Sequence, residues 1–168
     1  TLNKINFTHL DIIINKLRKC GLSFNENKNG SLSMIPTESI KPVSVKTDIY
    51  PGFPTDLQAQ WMVLMTQSGG SSIITENIYV DRFSHIPELS RFGAHISLNQ
   101  NKASIKGNET LVAAPVMSTD IRASASLIIA ALAAKGISTI SRIYHTDRGY
   151  ENIEEKLSNI GADIIRET

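Results

Sequence analysis

The sequence of 168 residues predicts an α/β fold in which repeated βαβαββ units pack around a shared centre of apolar helices. Two internal repeats predict this fold. Residues 54–83 align with residues 118–149, so that Thr55-Asp56 corresponds to Thr119-Asp120. In addition, three short amphipathic stretches each end in a glycine and continue into an alternating segment. Because such units cannot bury their apolar faces alone, we expect the most apolar helices to meet at the centre.

The shorter repeat predicts helices that are followed by hairpins. Its glycines suit the left-handed conformation after a helix end, and they are Gly21, Gly93 and Gly161. After the first two glycines, alternating residues predict β-hairpins that turn at Asn29-Gly30 and at Asn101-Lys102. The third copy reaches the end of the sequence before any hairpin. We therefore expect the third unit to lack its final pair of strands.

The single cysteine occupies a core position of this repeat. Cys20 lies in the column that holds Phe92 and Ile160 in the other copies, which predicts core packing rather than a nucleophile. A single cysteine also excludes an internal disulfide framework, and this favours a cytoplasmic protein.

The longer repeat predicts two enclosed helices with charged beginnings. From Leu127 to Ala134 the residues are apolar on every side, so we expect this helix to be enclosed. Trp61 lies on the other enclosed helix and is expected in the core. Thr55 and Thr119 are the expected N-caps, which places the aspartate after each of them in the first turn, where a carboxylate is favoured.

The composition excludes several classes of partner. A net charge of +1 with 20% charged residues argues against a nucleic-acid partner. Since no apolar run approaches the length that spans a bilayer, we expect no membrane partner. The histidines lack metal-ligand spacing, and the double glycine Gly69-Gly70 is not followed by a lysine in P-loop spacing. We expect neither a metal site nor a cofactor.

Three arginines stand near the helix beginnings. Arg82 and Arg148 follow Asp81 and Asp147 in equivalent loops, and Arg122 lies two residues into the second enclosed helix. If these loops and the helix beginnings face the same edge, that edge would bind anions, because the arginine fork matches carboxylate and phosphate oxygens and helix N-termini attract anions. Alternatively, the Asp-Arg pairs hold neighbouring repeats together. The residue types alone leave both interpretations open.

Four segments carry a family resemblance. YPGFPTDLQAQ, ENIYVDRFSHIPELSRFGAHI, TDIRASASL and RIYHTDRGYENIEEKLSNIGADI resemble the C-terminal part of the UDP-N-acetylglucosamine enolpyruvyl transferases. The resemblance implies an inside-out α/β barrel of βαβαββ repeats, with helices in the core and sheets outside. It also implies a cytoplasmic enzyme that transfers enolpyruvyl from phosphoenolpyruvate to the 3-hydroxyl of UDP-N-acetylglucosamine, the first committed step of peptidoglycan synthesis.

The same resemblance implies roles for individual residues. Asp56 matches the carboxylate that contacts the sugar hydroxyl and is the proposed base. Ile78 matches a contact to the nucleotide sugar through the backbone, and Arg148 matches the arginine that holds phosphoenolpyruvate. Three further residues are implied to line the cleft: Arg82, Asp120 and Arg122.

The resemblance also bears on what the chain contains. We expect one partial barrel domain over residues 1–168, with an incomplete repeat over about 1–40, a second over 41–107, and a third over 108–168 without its final hairpin. The N-terminal barrel of the same protein would be its partner and would supply the general acid. We therefore expect the 168-residue chain to be inactive by itself.

Three other interpretations compete with this one. The nearest is the shikimate-pathway enolpyruvyl transferase, which has the same fold but a different motif at the helix beginning. Another is a non-catalytic repeat module that uses the charged edge to bind anions or a partner. The last is a purely structural repeat, in which Asp56 and Arg148 would be buried against each other.

Overall fold

A helix and a hairpin form the beginning of the chain. The computed structural model describes residues 1–27 and 30–167. Helix α1 (Phe7–Lys19) begins at Asn6, whose side chain accepts a hydrogen bond from the backbone N–H of Thr8. Strands β1 (Ser23–Asn27) and β2 (Ser31–Ile35) then pair antiparallel. The hairpin prediction is confirmed, although Asn29 of its expected turn lies outside the described residues.

The middle of the chain forms a complete βαβαββ unit. Its strands form one sheet in the order β3-β4-β6-β5, in which β3 and β4 are parallel and the other pairs are antiparallel. A 3₁₀ turn at Thr55–Leu57 leads into the first of its two helices. The elements are β3 (Val45–Lys46), α2 (Gln58–Thr66), β4 (Ser72–Thr75), α3 (Ile86–Arg91), β5 (Ile96–Asn99) and β6 (Lys102–Ile105).

The last part of the chain repeats the first four elements of that unit and adds one short helix, α5, after its second strand. Strands β7 and β8 pair in parallel, as β3 and β4 do. The elements are β7 (Pro115–Met117), α4 (Ile121–Ala133), β8 (Thr139–Ser141), α5 (Tyr144–Asp147) and α6 (Ile153–Ser158). Within the described part of the chain, no strand follows α6.

The second hairpin turns one residue earlier than the sequence predicts. Asn99 pairs with Lys102, so the turn residues are Gln100 and Asn101 rather than Asn101 and Lys102. Gln100 adopts a left-handed φ of 52°, which a tight two-residue hairpin requires. The predicted glycine positions are confirmed, because Gly21, Gly93 and Gly161 have φ values of 101°, 90° and 100°.

The enclosed helices lie in the core and the sheet lies outside them. Helices α2 and α4 pack against each other, and both contribute to one apolar cluster. Strand β6 turns Ala103 and Ile105 inward and Lys102 and Ser104 outward, so one face of the sheet covers the helices and the other faces solvent. The predicted inside-out arrangement is therefore confirmed.

Two predicted core residues are buried. Cys20 is fully buried in the apolar cluster, which raises the pKa of its thiol to about 11. Trp61 is also buried, with its ring edge against Phe53 and its Nε1–H donating to the carbonyl oxygen of Val43 at 3.0 Å. Both side chains pack as the sequence predicts.

Helix α4 is less enclosed than the sequence predicts. Leu127, Ile128 and Ala130 are buried, but Ile129 and Leu132 are 42% and 43% exposed. This part of α4 lines a cavity of about 740 Å³ whose far wall is residues 160–167. The prediction of an apolar helix covered on every side is wrong for its last two turns, where Ile129 and Leu132 stay partly exposed.

Candidate active site

An aspartate joins the beginnings of the two core helices. Arg122, in the first turn of α4, donates from Nε to Asp56 Oδ1 at 2.5 Å, although the two residues are 66 positions apart. Arg82 Nη1 donates to the same oxygen at 3.3 Å and to Thr55 Oγ1 at 2.9 Å. The two helix beginnings and the loop that carries Arg82 therefore face one edge. We call Asp56, Arg82, Asp120 and Arg122 the charged edge.

Asp56 is held by a 3₁₀ turn rather than by a capped helix. Thr55 is not the N-cap that the sequence predicts, because α2 begins at Gln58 and makes no side-chain cap bond. The Thr55 hydroxyl instead donates to Glu76 Oε2 at 2.9 Å. A buried carboxylate is a stronger acceptor than water and draws the hydroxyl away from the helix axis. Asp56 is left with a side chain that is 67% exposed.

Asp120 is itself the N-cap of α4. Its extended backbone places Oδ1 within 2.8 Å of the Arg122 backbone N and 3.0 Å of the Ala123 backbone N. The predicted cap at Thr119 and the predicted first-turn position of Asp120 are therefore wrong by one residue. An aspartate caps better than a threonine because its charged oxygen accepts both N–H groups.

The surroundings of Asp120 favour its charged form. Partial burial works against that form, but the hydrogen bonds from the backbone of Ala123 and Arg122 outweigh burial and hold the pKa of Asp120 below its usual value. Ser84 Oγ donates to its second oxygen at 3.2 Å and acts in the same direction. Asp120 thus supplies a fixed negative charge beside Arg122.

Arg148 stands apart from these ion pairs. It is exposed, and among the described residues its side chain has no polar partner. Its neighbour Gly149 lies against α4, since a Cβ at Gly149 would be 2.9 Å from Ile121 Cγ2. Arg148 is therefore next to the beginning of α4, the same end that carries Asp120. An arginine without a bound carboxylate at this place can bind an anion.

The segment before Arg148 is not the loop that the sequence predicts. Asp147 N–H bonds to the carbonyl of Ile143 at 3.1 Å and Tyr150 N–H bonds to that of Thr146 at 2.9 Å, which closes a helical turn as α5. Asp147 turns away from Arg148 and accepts from Arg166 Nη2 at 2.7 Å. This hydrogen bond holds the pKa of Asp147 below its usual value.

The ion pairs of Arg82 and Asp147 do not hold neighbouring repeats together, which was one of the two interpretations left open by the sequence. Arg82 binds Asp56 within its own unit, and Asp147 binds Arg166 within its own unit, whereas Arg148 binds neither. Asp56 is exposed, and its arginine partners are Arg82 and Arg122. A purely structural repeat predicts a buried pair of Asp56 and Arg148, and that pair is not formed.

Ile78 lies in the loop after β4, and its backbone N–H is already used. The N–H donates to Glu76 Oε1 at 2.9 Å. A ligand that contacts Ile78 through the backbone would therefore meet its carbonyl oxygen. The side chain of Ile78 is exposed beside it.

The sequence reasoning missed Glu76 and His85. Glu76 is fully buried and accepts four hydrogen bonds, from Thr47, Thr55, Ile78 and Tyr79. In the repeat alignment its position corresponds to an arginine, Arg142, so the repeat gave no signal for it.

His85 lies beneath the charged edge in the turn before α3. It is buried, and burial lowers its pKa to about 4, against a weaker opposite effect of Asp120. The imidazole is therefore neutral at pH 7. Its closest sequence signal is the apolar context of FSHIP, which is equally typical of a core aromatic residue.

Neither a metal-ligand cluster nor a membrane-spanning helix is found among the described residues. Within residues 1–27 and 30–167, no group of three or more His, Cys, Asp or Glu side chains could hold a metal ion. Each helix there is too short or too polar to cross a bilayer.

The edge can be opened by a ligand. The Asp56 carboxylate is the exposed partner of both ion pairs, so water and ligands reach it directly. A ligand that offers a hydroxyl to Asp56 and anionic oxygens to Arg82 and Arg122 could take the place of these pairs.

A core of helices inside a βαβαββ sheet, with charged helix beginnings at one edge, defines an enolpyruvate transferase fold. The enolpyruvyl transferase NikO from Streptomyces tendae superposes with a TM-score of 0.83 at 26% identity, over 92% of this chain and 36% of that chain. The EPSP synthase from Acinetobacter baumannii has the same fold, with a TM-score of 0.64 at 16% identity, over 92% of this chain and 36% of that chain.

A family model agrees with this class. The model of EPSP synthase (3-phosphoshikimate 1-carboxyvinyltransferase) matches residues 1–157, and the chain belongs to that family.

Within the family, the chain is similar to transferases that are named for a nucleotide sugar. The UDP-N-acetylglucosamine 1-carboxyvinyltransferase of Campylobacter lari is 52% identical over 99% of this chain, and that of Helicobacter hepaticus is 48% identical over 99%. The chain spans 40% and 39% of the lengths of these two relatives.

Proposed function

We propose that the whole protein containing this chain transfers enolpyruvyl from phosphoenolpyruvate to the 3-hydroxyl of UDP-N-acetylglucosamine and releases phosphate. The observation that carries the proposal is the exposed Asp56 carboxylate between Arg82 and Arg122, at the meeting point of two core helices. The identity of about 50% to transferases named for that nucleotide sugar supports the choice of acceptor. The reaction is a cytoplasmic step of peptidoglycan synthesis and so of cell wall formation.

The reaction needs a base, cations and an acid, and the chain supplies the first two. Asp56 accepts the proton of the sugar hydroxyl while the hydroxyl oxygen attacks C2 of phosphoenolpyruvate. Arg148 holds the carboxylate or phosphate of that donor, since its guanidinium has no other polar partner within the described residues. A proton added at the methylene carbon gives a tetrahedral ketal. Loss of phosphate and of one proton from the methyl group so formed then restores the double bond.

The other candidate site residues bind substrate or hold a residue that does. Arg82 and Arg122 exchange Asp56 for anionic oxygens of the substrates, and Asp120 fixes the beginning of α4 so that Arg122 stays in place. Ile78 contacts the nucleotide sugar through its backbone carbonyl, because its N–H bonds to Glu76.

The acid at the methylene carbon comes from outside this chain. Cys20 cannot serve, because it is fully buried and its thiol has a pKa of about 11. We assign the acid to the N-terminal barrel of the same protein. In this proposal, residues 1–168 are one partial barrel domain, with repeats over about 1–40, 41–107 and 108–168, and the cleft lies between it and the other barrel.

Phosphate release from the whole protein tests this function. We expect turnover with phosphoenolpyruvate and UDP-N-acetylglucosamine, no turnover when shikimate 3-phosphate replaces the nucleotide sugar, and none from the 168-residue chain alone. Turnover with shikimate 3-phosphate would favour the shikimate-pathway alternative. Absence of turnover with either acceptor, together with retained anion binding, would favour a non-catalytic module.

A further inference from the structure

Glu76 connects two segments of the candidate site from below. It follows β4, and its carboxylate is fully buried. Oε2 accepts from the hydroxyl of Thr55, the residue before Asp56, at 2.9 Å. Oε1 accepts from the backbone N–H groups of Ile78 and Tyr79 at 2.9 and 3.0 Å. One carboxylate therefore sets the distance between the turn that carries Asp56 and the loop that carries Ile78.

A third segment fixes the carboxylate itself. The buried hydroxyl of Thr47, just after β3, donates to Glu76 Oε1 at 2.7 Å and accepts from the backbone N–H of Asn77 at 2.9 Å. All four contacts to Glu76 come from donors, which matches a carboxylate, since that group only accepts. Bonds to a charged acceptor are about twice as strong as bonds between neutral groups.

The same contacts reach Arg82. Thr55 Oγ1, which donates to Glu76, accepts from Arg82 Nη1. The ring of Tyr79, whose N–H donates to Glu76, lies under the guanidinium with 5.2 Å between the ring centre and Arg82 Cζ. Arg82 is thus held on two sides by residues that Glu76 binds, and it is one of the two arginines on Asp56.

We propose that Glu76 is a positioning residue for the acceptor substrate: it holds the Asp56 turn and the Ile78 loop at the spacing that binds the nucleotide sugar. This inference rests on the function proposed above. Glu76 itself is buried and acts through Thr55, Ile78 and Tyr79 rather than by touching substrate.

The variant Glu76→Gln in the whole protein tests the inference by affinity. An amide keeps the shape but offers one neutral oxygen in place of two charged ones, so the bonds to the turn and to the loop cannot all persist. We expect the Kd for UDP-N-acetylglucosamine, measured by calorimetry, to rise about tenfold, and the KM for phosphoenolpyruvate to stay within about twofold. Thr55→Val, which removes the bond from the Asp56 turn to Glu76 and the bond from Arg82 to the same hydroxyl, is expected to shift the same Kd in the same direction.

Two controls separate positioning from general stability. Glu109→Gln makes the same change at a largely buried glutamate that pairs with His95 and Lys106, away from the charged edge. Thr66→Val removes a buried hydroxyl that donates to the carbonyl of Val63 within α2. Both controls are expected to leave the nucleotide-sugar Kd unchanged. An equal loss in Glu76→Gln and Glu109→Gln would overturn the inference, as would wild-type affinity in Glu76→Gln.

Amide hydrogen exchange gives a readout that does not depend on the reaction. In Glu76→Gln we expect the N–H groups of Ile78 and Tyr79 to exchange at least about tenfold faster than in the wild type, and in Glu109→Gln at the wild-type rate. Unchanged exchange in Glu76→Gln would overturn the inference. If the wild-type protein neither binds the nucleotide sugar nor turns over, the proposed function fails, and a faster exchange in Glu76→Gln would still establish the contact between the two segments.

Discussion

Single side chains set the shape of the charged edge, and most of them are held by residues from other segments. The Thr55 hydroxyl donates to Glu76 instead of capping α2, and Asp120 caps α4 in place of Thr119. The sequence indicated the correct residue types at both helix beginnings. Cap assignment failed because it depends on which acceptor lies nearest in three dimensions, and Glu76 is 21 positions from Thr55.

His85 makes the stability of the protein depend on pH near neutrality. Its pKa of about 4 in the folded state lies below the ordinary 6.5, so the unfolded chain takes up a proton first as the pH falls. The stability that neutral His85 contributes is therefore present above the ordinary pKa and is lost as the pH falls toward 4. We expect the free energy of unfolding to drop by about 2 kcal/mol between about pH 7.5 and pH 5.

Urea unfolding of the whole protein at the two pH values measures this drop. His85→Gln cannot take up the proton and is expected to flatten the dependence, whereas His9→Gln changes an exposed histidine and is expected to retain it. The pKa values of Asp120, Asp147 and Glu154 are held below their usual values, so their contributions change at lower pH than this window. An unchanged slope in His85→Gln would contradict the assignment.

At the scale of helices and strands, periodicity and glycine positions predicted most of the elements. Both hairpins and both core helices form where alternation and continuous apolar runs indicate them. The turn of the second hairpin shifted by one residue because register is set by the pairing of Asn99 with Lys102, and local composition reports that pairing only weakly. The short helix α5 was missed because a single helical turn has no periodicity to detect.

Gly107, which follows β6, packs against the backbone of the turn after α2. A Cβ at Gly107 would clash with the carbonyl oxygens of Ser68 and Gly70, and backbone atoms cannot move aside as a flexible side chain can. We expect Gly107→Ala to lower the free energy of unfolding by about 2 kcal/mol or more. Gly69→Ala is the matched control, since its nearest neighbour would be the Ile40 carbonyl at an ordinary 3.7 Å. Equal midpoints of the two variants in urea would show that this contact is looser than described.

At the scale of the whole molecule, hydrophobic patterning predicted that α2 and α4 form the core, but it did not predict which residues of α4 stay exposed. Helices α2 and α4 meet in the core as the repeats indicate, because each needs an apolar partner. The sequence pattern of α4 is apolar on every side, yet Ile129 and Leu132 are partly exposed, and Leu132 lines the cavity. The apolar pattern shows that α4 can be packed on all of its faces. Among the described residues, only the face that carries Leu127 and Ala130 is fully packed.

The meeting of α2 and α4 also explains why distant motifs act together. Two segments 64 positions apart in the repeat alignment bring Asp56 and Arg122 into contact, and the pairing follows from packing like helices side by side. The repeat alignment predicted that these segments are equivalent. It could not predict that Asp56 would take arginines from two different units, because side-chain direction depends on the turn that Glu76 holds.

The central claim is that the Asp56 carboxylate at this edge accepts the proton of the acceptor hydroxyl. The most direct measurement is phosphate release by the whole protein carrying Asp56→Asn, with Asp163→Asn at an exposed position as the control. Asparagine keeps the shape but cannot accept the proton, so kcat is expected to fall by about 10²-fold to 10⁴-fold, while the control keeps the wild-type rate. A wild-type kcat in Asp56→Asn would contradict the account.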